Sequence, residues 1–153
     1  MRVDRIYTRG VLCTTRSASI SEAAAAMRRF QVGALLVMDD KSPVGHPLPI
    51  GIITDRDLAL EGFASKSSTV GGAMTPVLAT VREDADIHEA LEAMRAHGVR
   101  RLIVMDAAGK VCGIVSIDDI VDGLSVDLRS AALVLKGEIK RDSAGLGEMI
   151  VGG

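Results

Sequence analysis

Two stretches of the chain repeat apolar residues at the spacing of one helical face. In both, the apolar positions fall at i, i+3, i+4 and i+7: Ile20, Ala23, Ala24 and Met27, then Ile87, Ala90, Leu91 and Met94. A cap residue, Ser19 or Asp86, directly precedes each stretch, and Glu22 or Glu89 completes the capping-box spacing three residues later. In a capping box the side chains of the cap and of the third helical residue each accept a hydrogen bond from the other residue's backbone N–H. The pattern predicts two amphipathic helices with defined starts.

Two apolar runs rich in β-branched residues follow each helix. They are ALLVM and IGIIT after the first helix, and RLIVM and VCGIVS after the second; such short runs predict strands. The segment DAAGK, in which Gly109 precedes Lys110, predicts a tight hairpin in the second unit. Shorter helices are expected at DRDLALEGF and IDDIVDGL, and opening strands at 11–14 and 77–81. Each unit is therefore strand, helix, strand, strand, helix.

The two units are copies of one another. Residues 20–39 align with residues 87–106 at a constant offset of 67, and eleven of the twenty pairs are identical. Unrelated segments would share about one or two. The register then breaks because the first unit carries five additional residues within KSPVGHPLP, whose Pro and Gly predict a loop. The chain is therefore a tandem duplication.

The linker and the tail set the expected domain boundaries. The segment ASKSSTVGGAMTP is rich in Ser and Gly, and its Pro keeps the preceding residue extended. We expect a first motif at 1–66, a second at 67–124 and a tail at 125–153. In the tail, Leu128, Ala132, Leu135 and Ile139 are spaced for one helical face, which predicts a helix near 125–141 with a frayed Gly-rich end.

Composition and charge narrow the class of protein. Apolar residues make up 48% of the 153 residues and aromatic residues 2%, so the core must consist of Val, Ile, Leu, Ala and Met. The net charge is −2 and the Lys and Arg residues are scattered, which argues against nucleic-acid binding. No apolar run approaches the roughly 18 residues that span a bilayer. The first ten residues lack the apolar stretch of a secretory signal, and Cys13 and Cys112 lie in predicted strands. We expect a cytoplasmic protein with two buried, reduced cysteines.

Spaced signatures that occur in order and twice carry a family resemblance. EA..AM, V..L.VMD and GI[IV][TS]..D[LI] resemble a tandem pair of cystathionine-β-synthase (CBS) domains, often called a Bateman module. The resemblance covers roughly residues 5–124. It implies an α/β (α+β) fold of two pseudo-symmetric motifs packed sheet against sheet, with clefts that bind adenine-containing ligands. It also implies a homodimer.

The segment GIITDRD, residues 51–57, has two compatible interpretations. Thr54 and Asp57 fit a capping box, and Ser116 and Asp119 fit the same template. A strand-to-helix junction is also suited to phosphate, because it exposes unpaired N–H groups and the positive end of a helix dipole. The resemblance implies that the Thr or Ser contacts phosphate or ribose and that the Asp accepts the ribose hydroxyls. It therefore places Thr54 and Asp57 in one site, and Ser116 and Asp119 in a second, weaker one.

Arginines distinguish the two predicted sites. In the family, an Arg that opens the third segment of one motif reaches the phosphate held by the other motif. Arg101 has that position in the second copy, with Arg100 beside it, whereas the first copy has Gly33 and Ala34. Arg56 adds a further guanidinium near Thr54, and the planar fork of donors suits phosphate. The Thr54 site is therefore expected to bind phosphate. The resemblance also implies that adenine packs against five small or apolar residues, for which core packing is the alternative role: Leu12, Val32, Gly33, Ala34 and Ile52.

No catalytic or metal constellation is visible in the sequence. His46 lies in the predicted loop, His88 on the surface of a predicted helix and His97 at the end of that helix. Cys and His show no metal-ligand spacing, and no nucleophile elbow, P-loop or dinucleotide fingerprint occurs. The leading hypothesis is a regulatory sensor that binds AMP, ADP or ATP, needs no cofactor, and signals to an effector protein. The alternatives are a ligand-free oligomerisation or scaffold module and, third, a nucleotide-hydrolysing enzyme.

Overall fold

The computed structural model describes residues 1–41, 49–64, 69–76 and 79–151. The predicted insertion loop, with His46, and the start of the predicted strand at 77–81 therefore fall largely outside the described residues. The chain forms two compact units, Met1–Val115 and Ser116–Gly153. The first unit contains both predicted helices with capping boxes and all the described sheet pairings except the final residue of the last strand.

The first copy forms a three-stranded sheet. A 3₁₀ turn at Val3–Arg5 and strand β1 (Thr8–Arg9) precede it, followed by β2 (Cys13–Thr15), α1 (Ile20–Phe30), β3 (Ala34–Met38), β4 (Pro49–Thr54) and α2 (Asp55–Ala64). The strand order is β2-β3-β4, with β2 parallel and β4 antiparallel to β3. The predicted order of strand, helix, strand, strand, helix is confirmed, with the opening strand shifted by one to two residues.

The second copy follows a short helix in the linker. Its elements are α3 (Val70–Ala73), β5 (Thr80–Arg82), α4 (Ile87–His97), β6 (Arg101–Met105), β7 (Val111–Ser116) and α5 (Ile117–Val151). Its sheet has the order β1-β7-β6-β5, so the N-terminal strand joins the sheet of the second copy. Thr8 pairs with Ile114 and Arg9 with Gly113 in an antiparallel arrangement. A Cβ atom at Gly113 would collide with the Thr8 carbonyl and the Tyr7 ring, so glycine permits this close approach.

Both capping boxes are confirmed at the starts of α1 and α4. The Ser19 N–H donates to Glu22 at 2.7 Å, and the Glu22 N–H donates to Ser19 Oγ at 3.1 Å. At α4 the Asp86 N–H donates to Glu89 at 3.1 Å. The turn of DAAGK is also present, since the Asp106 N–H donates to the Lys110 carbonyl at 2.9 Å. These features are local in sequence, and local spacing was sufficient to predict them.

A buried aliphatic cluster holds helices on the first sheet. It contains Ala23 and Met27 of α1, Leu35 and Val37 of β3, Ile53 of β4 and Val70 of α3. Leu102, Val104 and Val115 are fully buried in the second sheet. The expectation of two buried cysteines was wrong: Cys13 is exposed and Cys112 is half-buried, with its Sγ 3.3 Å from the Val104 carbonyl. Cys13 lies in β2, a three-residue strand at the edge of its sheet, whereas Cys112 lies near the start of the inner strand β7.

The prediction of a short helix followed by a separate tail helix was also wrong. One continuous helix, α5, runs for 35 residues from Ile117 to Val151. The predicted boundary after Leu124 lies inside this helix, and so does the neighbouring Gly123, since a single glycine costs only about 1 kcal/mol in a helix interior. The Gly-rich end is helical as far as Val151 instead of fraying.

Candidate functional site

The junction between β4 and α2 is built by a reciprocal set of hydrogen bonds. β4 ends at Thr54 and α2 begins at Asp55. The Thr54 Oγ1 accepts from the Asp57 N–H at 3.2 Å, and Asp57 Oδ2 accepts from the Thr54 N–H at 2.8 Å. The Thr54 hydroxyl also donates to Asp57 Oδ2, at 2.9 Å. The capping-box interpretation of TDRD is therefore correct as structure, and it fixes the rotamers of both side chains.

The same bonds determine what the junction offers to a ligand. Asp57 is half-buried, and within the described residues only its Oδ2 accepts hydrogen bonds, so Oδ1 remains available to hydroxyl donors. Thr54 uses its hydroxyl both as donor and as acceptor. A contact from Thr54 to phosphate therefore requires the hydroxyl proton to turn away from Asp57.

A cleft with a cavity volume of about 170 Å³ opens at this junction. All of its lining residues belong to the unit Met1–Val115. They are Ile52, Thr54, Arg56, Asp57, Thr75, Ala79, Gly98, Val99, Arg100, Arg101 and Ile103. The structure thus brings six sequence-predicted residues together in one cleft: Ile52, Thr54, Arg56, Asp57, Arg100 and Arg101.

The cleft is electropositive because three guanidinium groups line it with one carboxylate. Arg56 lies in the first turn of α2, Arg101 opens β6, and Arg100 precedes it. Within the described part of the chain, Arg56 and Arg101 form no ion pair with a carboxylate. Among the described residues of the lining, Asp57 is the only acidic one, so their formal charge is positive. Such a concentration of positive charge attracts anions.

Gly33 provides the space that the Arg101 guanidinium occupies. A Cβ atom built on Gly33 would lie 3.0 Å from an Nη atom of Arg101 and 3.3 Å from Asp55 Oδ2. The Gly33 carbonyl accepts a hydrogen bond from the Asp55 N–H at 3.1 Å, which ties β3 to the start of α2. Gly33 therefore lies beside Arg101, and it is not part of the cleft lining.

The structure does not bring Leu12, Val32 and Ala34 into this cleft. Leu12 and Val32 pack against the buried cluster of the first sheet, and Ala34 is buried in β3. The apolar lining comes instead from Ala79, Val99 and Ile103. Ala79 and Val99 stand 67 positions after Leu12 and Val32, so they are the corresponding residues of the second copy. The repeat offset was the signal that could have identified them.

Thr75 is a lining residue that sequence analysis missed. It extends the first sheet next to β4. The Thr75 N–H donates to the Ile52 carbonyl at 2.9 Å, and the Ile52 N–H donates to the Thr75 carbonyl at 3.0 Å.

Gly98, a second lining residue that was not predicted, ends α4 in the left-handed conformation, with φ of 63°. The glycine after His97 was a visible helix-end signal, but nothing in the sequence tied it to a cleft.

The second predicted junction has the same internal hydrogen bonds as the first. Asp119 Oδ2 accepts from the Ser116 N–H and from the Ser116 hydroxyl, both at 2.7 Å, and Ser116 Oγ accepts from the Asp119 N–H at 3.2 Å. The Thr/Ser and Asp pair therefore makes a capping box in either copy. What distinguishes the Thr54 junction is its set of neighbouring arginines.

No described group of three or more His, Cys, Asp or Glu side chains is arranged to hold a metal ion. His97 closes α4, where its Nδ1 lies 2.9 Å from the Ala93 carbonyl, and His88 lies in the first turn of the same helix. Among the described helices, none has the length and apolar character needed to cross a membrane.

Comparisons with known proteins agree with the duplicated architecture. The family model described as CBS domain matches residues 3–62 and 70–126. The uncharacterised protein YlbB of Bacillus subtilis is 40% identical over 105 residues, which cover 67% of this chain and 68% of that protein. Inosine-5′-monophosphate dehydrogenase of Methanocaldococcus jannaschii is 29% identical over 119 residues, 78% of this chain and 23% of the enzyme.

The matches cover only part of each relative's length. The matched region spans 60%, 68% and 73% of three uncharacterised relatives, and in the dehydrogenase it is a minor part of a larger enzyme. Among solved structures, that of CBSX2 in complex with AMP has a TM-score of 0.65 and 25% sequence identity to this chain. The alignment covers 84% of this chain and 98% of that one.

Proposed function

Because the chain belongs to the CBS domain family, as a tandem pair of CBS domains, we propose that it is a regulatory module that binds an adenine nucleotide. AMP, ADP or ATP would bind in the cleft at the β4–α2 junction, and the bound state would be passed to an effector protein. The module needs no further cofactor for this role, and we assign it no catalytic activity. Adenine nucleotides are abundant in the cytoplasm, where we place the protein.

The observation that carries the proposal is the meeting of one carboxylate and three guanidinium groups in a single cleft. The Oδ1 atom of Asp57 is available to the two hydroxyls of a ribose, which are hydrogen-bond donors. Arg56, Arg100 and Arg101 line the same cleft and match the charge of a phosphate group. Ile52, Ala79 and Val99 form an apolar part of the lining, against which a purine base can pack.

The relatives support the same ligand class. CBSX2, which shares 25% of its residues with this chain, has been solved with AMP. In the present cleft, the positive charge favours a phosphate-bearing ligand over an adenosine compound with a cationic group. S-adenosylmethionine carries a sulfonium cation, and we expect it to bind less well than AMP.

A second candidate function is a ligand-free oligomerisation or scaffold module. The Ser116–Asp119 junction favours it, because that junction forms the same hydrogen bonds without arginines in its motif. If capping were the only role of the Thr54 junction, its residues would stabilise the fold without affecting any ligand.

Calorimetric titration of matched variants distinguishes the two functions. The ligands are AMP, ADP, ATP, adenosine and S-adenosylmethionine, and the variants are Asp57→Asn and Asp119→Asn. Both changes disturb a capping box of the same geometry, so they should lower the melting temperature by similar amounts. Only Asp57→Asn should weaken nucleotide binding, by about ten- to a hundredfold, since hydrogen bonds to a charged group contribute about 1.5 to 3 kcal/mol.

The outcomes of that titration are distinct. If the wild-type protein binds none of the five ligands, the scaffold function is favoured. If Asp119→Asn weakens binding as much as Asp57→Asn, the assignment of the principal site is wrong. A stronger affinity for S-adenosylmethionine than for AMP would contradict the role given to the arginines.

Self-association is part of the proposal. α2 exposes Leu60, which is 58% accessible, and α1 ends in Phe30, which is 52% accessible. Contiguous exposed apolar surface is typical of faces that meet a partner. The family resemblance also implies a homodimer, and we propose one. Sedimentation velocity over a hundredfold range of concentration tests this, and a monomer at every concentration would contradict it.

A further inference from the structure

Helix α5 exposes an apolar stripe. Its 35 residues make a helix about 52 Å long. Val121, Leu124, Leu128 and Leu135 fall on one side of it, and they are 56%, 38%, 71% and 60% exposed. Val121, Leu128 and Leu135 are spaced seven residues apart, which is the repeat that allows two helices to pack along their length. Ala131 and Ala132 continue the stripe between Leu128 and Leu135.

A smaller apolar group lies elsewhere on the helix. Val126, Leu133 and Val134 are 63%, 63% and 62% exposed, but they extend over only nine residues. The stripe from Val121 to Leu135 is longer and covers four turns. It is therefore the better surface for another helix, and Leu133 offers an exposed leucine outside it.

Charge is segregated along the same helix. Residues 117–127 carry four acidic side chains and no basic one: Asp118, Asp119, Asp122 and Asp127. Residues 128–137 carry two basic side chains and no acidic one, Arg129 and Lys136. Two copies side by side in the parallel sense would place residues 117–127, the acidic segment, against the acidic segment of the other copy. In the antiparallel sense each acidic segment meets residues 128–137, the basic segment, which is favourable.

We propose that a second copy of this chain docks on the stripe Val121–Leu135 through its own α5, with the two helices antiparallel. This inference rests on the self-association proposed above and identifies its surface. The stripe is centred on Leu128, so the two-fold axis passes near Leu128 of both copies. Lys136 of one copy then lies level with position 120 of the other copy. Asp122 of that other copy is two residues further on, which is about 3 Å along the helix axis.

The row beside the stripe supports this arrangement. Asp122, Arg129 and Lys136 are also spaced seven residues apart, so they follow the apolar row along one side of the helix. In an isologous two-fold contact each pairing occurs twice. Asp122 of each copy therefore meets the basic segment 128–137 of the other, and the dimer contains two such contacts.

The test begins with two leucine variants compared by sedimentation equilibrium. Leu128→Asp places a charge in the centre of the stripe and should raise the dimer dissociation constant at least about a hundredfold. Leu133→Asp introduces the same charge at a similarly exposed leucine outside the stripe and should leave the constant within about threefold. Circular dichroism of both variants checks that α5 is still helical.

Charge exchange then tests the antiparallel sense. Asp122→Lys and Lys136→Asp should each raise the dissociation constant about tenfold, since each creates two like-charge contacts. The double variant, and an equimolar mixture of the two single variants, should return to within about threefold of the wild type. A parallel pair predicts a different pattern, because each residue would then meet its own counterpart. Neither single variant should then weaken the dimer, and the equimolar mixture should bind more tightly than the wild type.

Each contrary result overturns a different statement. A monomeric wild type overturns both self-association and this surface. A dimer that persists in Leu128→Asp leaves self-association standing and overturns the surface. Dissociation by Leu128→Asp without charge rescue overturns the antiparallel sense. Titration with AMP serves as a separate readout, so a failure of nucleotide binding is not confused with a failure of pairing.

Discussion

Removal of the Arg101 guanidinium tests the phosphate half of the proposed site. Arg101 is half-buried at the start of β6, lines the cleft with Thr54 and Asp57, and forms no ion pair with a carboxylate in the described part of the chain. Its guanidinium is therefore available to a phosphate, although the Asp55 carboxylate lies beside the same Gly33 position. The variant Arg101→Ala leaves the capping box of Thr54 intact, so the local fold at the junction should be retained.

The expected magnitude follows from the geometry of the cleft. A hydrogen bond to a charged group contributes about 1.5 to 3 kcal/mol. Because the cleft is open to solvent and Arg56 and Arg100 remain in its lining, the lower value applies, which is about tenfold in affinity. AMP should therefore bind about tenfold more weakly and ATP by at least that factor. Adenosine has no phosphate, and its affinity should change by less than about twofold.

Isothermal titration calorimetry at low and at physiological salt measures these affinities. Arg28→Ala is the matched control, because Arg28 is an exposed arginine of α1 outside the cleft lining and its loss changes the net charge equally. It should leave all three affinities unchanged. The reasoning would be refuted if adenosine lost as much affinity as AMP, since Arg101 would then act on the shape of the cleft. An unchanged affinity for AMP would equally exclude Arg101 from the phosphate site.

Three further predictions address positions that the fold makes sensitive. Gly33→Ala places a Cβ 3.0 Å from the Arg101 guanidinium and should displace that flexible group; calorimetry should show AMP binding several-fold more weakly with adenosine unchanged, and an equal loss for both ligands would count against this. Gly113→Ala forces β1 away from β7 and should cost about 1 to 3 kcal/mol; urea unfolding measures it, and unaltered stability would mean that β1 is dispensable. The backbone N–H of Ser19, helped by its hydroxyl, holds the pKa of Glu22 below the usual 4.5. The unfolded chain therefore binds the proton more readily, so this stabilisation is present above about pH 4.5 and is lost as the pH falls through the depressed folded value; Glu22→Gln should flatten the acid limb of stability against pH, and an identical pH dependence would contradict the assignment.

The sequence by itself determined the local features and their duplication. The capping boxes at Ser19 and Asp86, and the reciprocal bonds of Thr54 with Asp57, depend on groups three residues apart. Such groups meet whenever a helix starts there, so their spacing is sufficient to predict them. The family resemblance, which the comparisons confirm, added the expected ligand class and the role of the arginines.

Only the tertiary structure decided which residues share the cleft. The family resemblance implied that Leu12 and Val32 contact adenine beside Thr54, with core packing as the alternative role. The fold instead brings their counterparts, Ala79 and Val99, to that junction. The meeting of Arg101 with Asp57 joins residues 44 positions apart in the chain, and no local spacing encodes it.

Two further differences between the predicted and the observed elements, the position of β1 and the continuity of α5, depend on strand pairing and on helix cooperativity. β1 joins the sheet of the second copy because the edge of β7 offers unpaired hydrogen-bonding groups and Gly113 leaves room for it. α5 continues through Gly123 because propagation of an existing helix costs less than starting a new one. Hydrophobic spacing predicted helices within α5 but did not predict β1, which has only two residues and is too short to show a pattern. The pairing of β1 and the continuity of α5 depend on the whole chain.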